Sequence, residues 1–178
     1  MIMMNEKLKI FTLGKFKVQK GETVITEKKQ QANKIWNLFH YLVSTPDKKT
    51  PVNELIEEIN LSLDLWDAKN ALENIIYRLR KLLATNEEYE PGKYILYNRG
   101  SYSLNLKADI YIDYLDFKNY FQQGEKYYNS GEYQTALQRF YKCFDLYNGK
   151  FIPENSEIPR NTSNNRTYIF YLFNIFII

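Results

Sequence analysis

The stretch Asp67 to Ala84, DAKNALENIIYRLRKLLA, carries two kinds of residue at helical spacing. Residues three and four apart lie on one face of a helix, because each residue turns by about 100° around the axis. The apolar residues form one stripe: Ala68, Leu72, Ile75, Ile76, Leu79, Leu82 and Leu83. The opposite face holds amides, cations and a tyrosine: Asn70, Asn74, Tyr77 and Lys81, flanked by Lys69, Arg80 and Arg78. We therefore predict a helix with a packed back and a front suited to base edges in a DNA major groove.

A hairpin pattern follows this helix in the run Tyr94 to Leu106, YILYNRGSYSLNL. The turn falls at Asn98–Arg99–Gly100–Ser101, which puts a cation at the tip of the hairpin. A short basic-tipped hairpin directly after an amphipathic helix is typical of a winged helix.

Strands and two further helices precede the long helix. The alternation in Leu8 to Val18, LKIFTLGKFKV, continues through residues 23–25 and predicts three or four short antiparallel strands. Residues 28–44 switch to helical period. The next helix is predicted to begin with Thr50 as N-cap and Pro51 at the first helical position. Asp67 is the predicted cap of the long helix.

Composition and charge narrow the class of protein. Residues 1–107 hold 17 Lys and Arg against 13 Asp and Glu, net +4, whereas residues 108–178 hold 7 against 8, net −1. The positive excess therefore accompanies the predicted DNA-contacting helix. The single cysteine, Cys143, permits no internal disulfide, and the single histidine, His40, is interpreted as an ordinary surface residue. The N-terminus lacks a signal-peptide pattern, so we expect a cytoplasmic protein.

Four strings in this order resemble a known family of regulators. They are LKIFTLGKFKV, PVNELIEEI, DAKNALENIIYRLRKLL and GSYSLNL. Together they resemble the OmpR/PhoB-type output domain, in the version found at the N-terminus of SARP-type bacterial transcriptional activators. The resemblance implies an α+β fold for residues 7–107: a winged helix-turn-helix with an N-terminal antiparallel sheet.

The second half of the chain resembles the next domain of the same family. Two helical patterns span roughly 113–129 and 132–147, with small and aromatic residues at the spacings of one tetratricopeptide repeat: Gly124, Tyr127, Gly131, Tyr133, Ala136 and Phe140. Cys143 occupies another small-residue position, which predicts a buried core thiol. Residues 108–154 thus resemble the start of a bacterial transcriptional activator domain, an all-α tetratricopeptide-like helix pair.

Residues 155–178 depart from the family pattern. Tyr168 to Ile178 is almost wholly apolar, but its 11 residues are too few to span a bilayer, so we expect no membrane association. The abrupt change of composition motivates the hypothesis that this segment is a disordered or frame-shifted tail, which sequencing of the source locus would test.

The resemblance implies a sequence-specific DNA-binding regulator that activates transcription. It implies double-stranded promoter DNA and RNA polymerase as partners, and a homodimer on DNA. Asn70 and Asn74 are expected to contact bases, because carboxamides pair well with adenine. Glu73 is a candidate acceptor for cytosine, and Arg99 a candidate for the minor groove or a phosphate. The remaining expected contacts, mostly with phosphates, are Lys69, Tyr77, Arg78, Arg80, Lys81, Lys28 and Lys29.

Other classes of function receive less support. The main alternative is a protein-interaction module, built on the tetratricopeptide-like helices, whose winged helix no longer binds DNA; an RNA-binding winged helix is a weaker one. The front of the long helix distinguishes DNA binding from the protein-interaction alternative. A DNA-binding protein should keep Lys69, Asn70, Asn74 and Arg80 exposed, whereas a protein-docking remnant should bury them. We expect no enzyme and no metal or cofactor. The paired carboxylates are interpreted as solvated charge: Glu57–Glu58, Glu87–Glu88 and Asp113–Asp116.

Overall fold

Short strands and helices alternate along the chain in a mixed α and β architecture. The computed structural model describes residues 7–26, 33–61, 64–84 and 89–147. The elements of these residues, in chain order, are β1 (Leu8–Phe11), β2 (Lys17–Lys20), β3 (Thr23–Val24), α1 (Asn33–Ser44), β4 (Thr50–Pro51), α2 (Val52–Glu58), α3 (Leu65–Ala84), β5 (Ile95–Asn98), β6 (Ser101–Leu104), β7 (Ile110–Ile112), α4 (Asp113–Asn129) and α5 (Tyr133–Leu146).

Two sheets frame the first three helices. The N-terminal sheet has the order β3-β2-β1-β7, and its strands β1, β2 and β3 pair antiparallel, as predicted. Strand β7 adds to the edge of β1 in parallel, with Leu8 opposite Ile110. This pairing was not predicted, because no local pattern in residues 110–112 indicates a partner that lies about 100 residues earlier. The second sheet has the order β4-β6-β5 and contains the predicted hairpin.

The start of α2 differs from the prediction by one residue. Thr50 lies in β4 opposite Tyr102 of the hairpin, and the N-cap position of α2 is Pro51, without a side-chain cap hydrogen bond. Thr50 is therefore a buried strand residue and does not cap the helix. The backbone of Val52, the first residue of α2, joins this helix to the hairpin, since Val52 N donates to Gly100 O over 3.0 Å.

A polar cluster ties α1 to α2. The Tyr41 hydroxyl and the Lys48 ammonium both donate to the carboxylate of Glu54, in the first turn of α2. Burial, together with the bond to Glu54, raises the pKa of Tyr41 to about 12. The hydroxyl therefore keeps its proton at neutral pH and remains a donor, which holds the two helices in register.

The larger core lies between α1, α2, α3 and the two sheets. Its fully buried side chains include Leu8, Leu38, Phe39, Leu55, Leu72 and Leu79. His40 of α1 sits at its edge with its ring 5.2 Å from that of Phe16, and burial lowers the pKa of the imidazole. Contrary to the interpretation of His40 as an ordinary surface histidine, its side chain is half-buried, because Phe16, which directly precedes β2, packs edge-on against its ring.

The smaller core lies between α4 and α5, whose bounds match the prediction closely. A Cβ atom on Gly124 would approach the ring of Phe140 to 2.5 Å, so a glycine is needed for the two helices to come this close. Cys143 is fully buried and its thiol donates to Phe117 O over 3.5 Å. Burial raises the pKa of this thiol to about 12, which confirms the predicted inert core cysteine.

Asp113, the first residue of α4, joins the two cores. It is only 3% exposed, and its carboxylate accepts hydrogen bonds from the amides of Thr12 and Leu13 and from the Thr12 hydroxyl, at 2.8 to 3.0 Å. The neighbouring Leu13 side chain packs into the smaller core. The interpretation of Asp113 as solvated charge is therefore wrong, because the chain after β1 folds back over the start of α4.

Some predictions fall outside the described residues: the first turn of the helix predicted from residue 28, the Glu87–Glu88 pair, and the tail at 155–178. Within the described ranges, no helix is both long enough and apolar enough to cross a membrane.

Candidate nucleic-acid interface

Helix α3 is held by side chains at both of its ends. At the N-terminus, the Asp64 carboxylate accepts hydrogen bonds from the amides of Trp66 and Asp67, both over 3.0 Å. Asp64 is therefore the cap, and the prediction for Asp67 is wrong, because the helix begins at Leu65. At the C-terminus, the ammonium of Lys20, from β2, donates to Leu83 O over 3.4 Å and to Ala84 O over 3.2 Å.

The cap by Lys20 was missed in the sequence, where this lysine looks like one of several basic residues in an alternating strand. Its side chain is 3% exposed and crosses from the N-terminal sheet to the last carbonyls of α3. A cation at a helix C-terminus is favourable because the unpaired carbonyls there carry partial negative charge. The N-terminal sheet thereby fixes the orientation of α3.

The two faces of α3 separate as predicted. The stripe of Ala68, Leu72, Ile76, Leu79 and Leu83 is buried, with Ile75 and Leu82 partly buried beside it. The predicted contact residues on the opposite face are exposed: Lys69, Asn70, Glu73, Asn74, Tyr77, Arg78 and Lys81. This face combines amide donors and acceptors, cations and one acid. It offers groups that pair with base edges and groups that neutralise phosphates.

Arg80 does not belong to the exposed set. Its guanidinium Nη2 donates to Ile95 O of the hairpin over 2.8 Å, and its Cζ lies 6.0 Å from the centre of the Tyr102 ring. The expectation that Arg80 is exposed is therefore wrong, because the hairpin closes over this side of α3. Arg80 links the helix to the hairpin, and this contact orients one against the other.

Tyr77 and Lys81 form a cluster of an aromatic ring and a cation in the C-terminal half of α3. The Tyr77 ring meets that of Tyr89 edge-on at 5.7 Å, and the Lys81 ammonium lies 5.0 Å from the Tyr77 ring centre. A hydrogen bond to Tyr77 raises the pKa of Lys81. Lys81 is therefore charged at neutral pH, as a phosphate contact requires.

The hairpin turns in two residues, both with positive φ. Arg99 has φ 48° and Gly100 has φ 78°, and the last pair of the ladder is Asn98 with Ser101. A turn of this kind favours Asn-Gly, since few side chains tolerate the left-handed conformation. Arginine at the first position costs conformational energy, but it places an exposed guanidinium at the hairpin tip.

A groove of about 270 Å³ runs between the start of α2, the first turns of α3 and the hairpin. Its lining includes Asn53, Lys69, Glu73 and Tyr97 together with the inner residue Tyr102. Burial, and secondarily the nearby Glu73 carboxylate, raises the pKa of Tyr102. The groove therefore brings the predicted contacts Lys69 and Glu73 next to the hairpin.

Two remaining predictions concern residues at helix starts. Lys28 and Lys29 lie outside the described residues, so their role stays a prediction. Trp66 was not among the predicted contacts, because the helix was predicted to begin after a cap at Asp67, which left Trp66 outside it. It lies in the first turn of α3 and is 74% exposed. The Asp64 cap, had it been recognised, would have moved the helix start far enough to include it.

Comparison with known proteins identifies a shared fold. No protein-family model and no curated protein matches the chain. Among solved structures, the chain is similar to Mycobacterium tuberculosis EmbR in complex with a low-affinity phosphopeptide, with a TM-score of 0.66 and 14% sequence identity. The match covers 96% of this chain and 42% of that chain, so this chain spans less than half of the EmbR length. At this identity the likeness shows that the two proteins share a fold.

Proposed function

We propose that the protein is a sequence-specific DNA-binding regulator of transcription, with α3 in the major groove and the β5–β6 hairpin as its wing. The observation that carries the proposal is the exposed face of α3, where Lys69, Asn70, Asn74 and Lys81 stand opposite a fully buried stripe. Arg80 anchors the hairpin beside this face through its hydrogen bond to Ile95 O. A helix face that only meets solvent would not require a hairpin held beside it. Both elements that meet DNA in a winged helix are thus held together.

The residues divide the work by their chemistry. Asn70 and Asn74 contact base edges, and Glu73 accepts from cytosine. The exposed cations and the tyrosine bind phosphates: Lys69, Tyr77, Arg78 and Lys81. Arg99 enters the minor groove or binds a phosphate from the hairpin tip. Arg80 orients the hairpin and makes no primary contact with DNA, since its guanidinium is already bonded to Ile95 O.

The partners follow from the family resemblance. The fold shared with EmbR agrees with the fold that the resemblance to SARP-type activators implies, and this resemblance supports a regulator of that type. As a SARP-type activator, the protein would act in the cytoplasm, bind promoter DNA as a homodimer and contact RNA polymerase. Residues 7–107 would form the DNA-binding domain, and 108–154 the start of the tetratricopeptide-like domain. Two copies are proposed because one winged helix buries little surface on DNA.

A protein-interaction function is the second candidate, and one observation favours it. The outer face of α5 exposes Tyr133, Leu137 and Tyr141, which stand four residues apart and line one side of the helix. Large exposed apolar side chains in a row mark surfaces that bind other proteins. In this alternative the exposed front of α3 has no nucleic-acid ligand, and α5 carries the activity.

Fragments selected from the source genome, followed by titrations over a range of salt, test the proposal. Lys69→Gln should reduce the slope of log affinity against log salt by about 0.9, because one phosphate contact is lost. Lys126→Gln, an equally exposed lysine on α4, is the matched control and should leave the slope unchanged. Asn74→Ala should reduce discrimination between selected and random DNA by about tenfold.

Equal slopes for the two lysine variants would contradict the proposed interface. Wild-type protein that binds selected and random DNA equally would contradict sequence-specific binding altogether and would favour the protein-interaction function.

A further inference from the structure

Trp66 is a large apolar side chain at a place where none is needed for the fold. It lies in the first turn of α3 and is 74% exposed, whereas the apolar residues that stabilise α3 lie on the opposite side. It stands four residues before Asn70, which places the two side chains within about 40° of each other around the helix axis. Trp66 therefore extends the exposed face of α3 by one turn toward its N-terminus.

The charges around Trp66 restrict which groups of DNA the N-terminal end of α3 can contact. Asp64 and Asp67 are both exposed, and the Asp64 carboxylate already occupies the first free amides of the helix. A helix end of this kind repels phosphate, although a bare helix N-terminus attracts it. A contact between Trp66 and DNA is therefore a contact with base edges within the groove.

The indole determines which base edge. The major-groove edges of the bases present hydrogen-bond donors and acceptors, with one apolar group among them, the C5-methyl of thymine. Recognition helices place their N-terminal residues against base edges, and Trp66 is the most N-terminal member of this face. We infer that Trp66 is a specificity-determining residue that packs its indole on the methyl group of a thymine next to the bases contacted by Asn70.

This inference rests on the proposed function and deepens it, because it names one base of the recognised site. In the test, the thymidines of a selected DNA fragment are replaced by deoxyuridine, one position at a time. Each replacement removes the C5-methyl group and leaves base pairing intact. For the wild-type protein, one replacement within each half-site should lower affinity about fourfold, the effect of one methyl group that is no longer buried.

The variant Trp66→Ala should bind thymine-containing DNA at least about tenfold more weakly, and the deoxyuridine replacement at that position should cost it nothing further. Trp66→Phe should keep the sensitivity to deoxyuridine, because it retains an apolar ring. Tyr128→Ala, which removes an exposed aromatic side chain of α4, is the matched control and should behave as wild type. Because Trp66 is exposed, its variants should unfold at the wild-type temperature, and unfolding is measured for each.

Three results would overturn the inference. Trp66→Ala could bind DNA as tightly as wild type, or it could keep the full sensitivity to deoxyuridine at every thymine. Promoter activation could also fall while affinity for DNA stays unchanged, which would assign Trp66 to a protein partner. Failure of the proposed function is recognised separately, because wild-type protein would then bind selected and random DNA alike before any variant is compared.

Discussion

Helices α3 and α5 have similar buried sides, but their exposed sides differ in chemical character. Each packs a stripe of apolar residues into its own core. The exposed side of α3 carries amides and cations, whereas that of α5 carries Tyr133, Leu137 and Tyr141. Amphipathic spacing alone therefore defines which side is buried, and the chemistry of the opposite side decides the class of partner. The front of α3 suits a polyanion with polar edges, and that of α5 suits an apolar protein surface.

The two helices also differ in how their ends are held. Asp64 caps the start of α3 and Lys20 its end, whereas Glu132 at the start of α5 makes no side-chain cap hydrogen bond. A helix that contacts base edges must keep a defined orientation, because a displacement of about 1 Å breaks its hydrogen bonds. Helix α5 depends instead on its aromatic contacts with α4.

The largest expected effect on stability is at Asp113, which joins the larger core, containing α3, to the smaller core, containing α5. Asp113→Ala should lower the free energy of unfolding by about 3 to 5 kcal/mol, because the amides of Thr12 and Leu13 and the Thr12 hydroxyl lose a buried acceptor. Chemical denaturation measures the change. Asp109→Ala, whose exposed side chain pairs with Lys7 at 3.6 Å, should cost under about 1 kcal/mol. Similar losses for both variants would show that Asp113 does not join the two regions.

An intermediate effect is expected at Arg80, which holds the hairpin against α3. Arg80→Met should lower the free energy of unfolding by about 1 to 2 kcal/mol, since it removes the hydrogen bond to Ile95 O and the cation–π contact with Tyr102. It should also weaken the contribution of Arg99 to DNA affinity. Arg99→Asn, which suits the turn, should therefore cost less affinity in the Arg80→Met background than in wild type.

Arg78→Met is the control for this coupling. Arg78 is exposed on α3, so its loss should leave stability within about 0.5 kcal/mol of wild type and leave the effect of Arg99→Asn undiminished. Strictly additive affinities for Arg80→Met and Arg99→Asn would mean that Arg80 does not orient the hairpin.

The smallest expected effect is a pH dependence of stability that arises from His40, at the edge of the larger core. Burial lowers the pKa of His40 in the folded state, so below about pH 6.5 the unfolded chain binds a proton that the folded chain does not. Stability should therefore be full above that pH and fall as the pH decreases toward the folded pKa. His40→Gln should show a shallower fall between pH 7 and 5 in parallel urea titrations. Identical pH profiles would remove His40 as the cause.

Much of the fold was predictable from local patterns. The buried stripe of α3, the bounds of α4 and α5 and the turn at Asn98–Ser101 all follow from spacing or from residues that favour turns. The predicted caps were wrong by one residue at Thr50 and by three residues at Asp67, because several polar residues near each helix start can serve as the cap. The predicted DNA contacts stay predictions. Among the described ones, all but Arg80 have exposed side chains.

The sequence by itself determined which residues of α3 face the core, because apolar residues recur along it every three to four positions, which is the period of a helix. Only the tertiary structure decided the roles of Lys20, Arg80 and Asp113. Their partners lie 64, 15 and 101 residues away, at Ala84, Ile95 and Thr12. No local pattern encodes such a partner, since a charged side chain in a strand or helix looks the same whether it meets water or a distant backbone. The tertiary structure therefore separates the cations of α3 that are exposed to solvent from Arg80, which holds the hairpin.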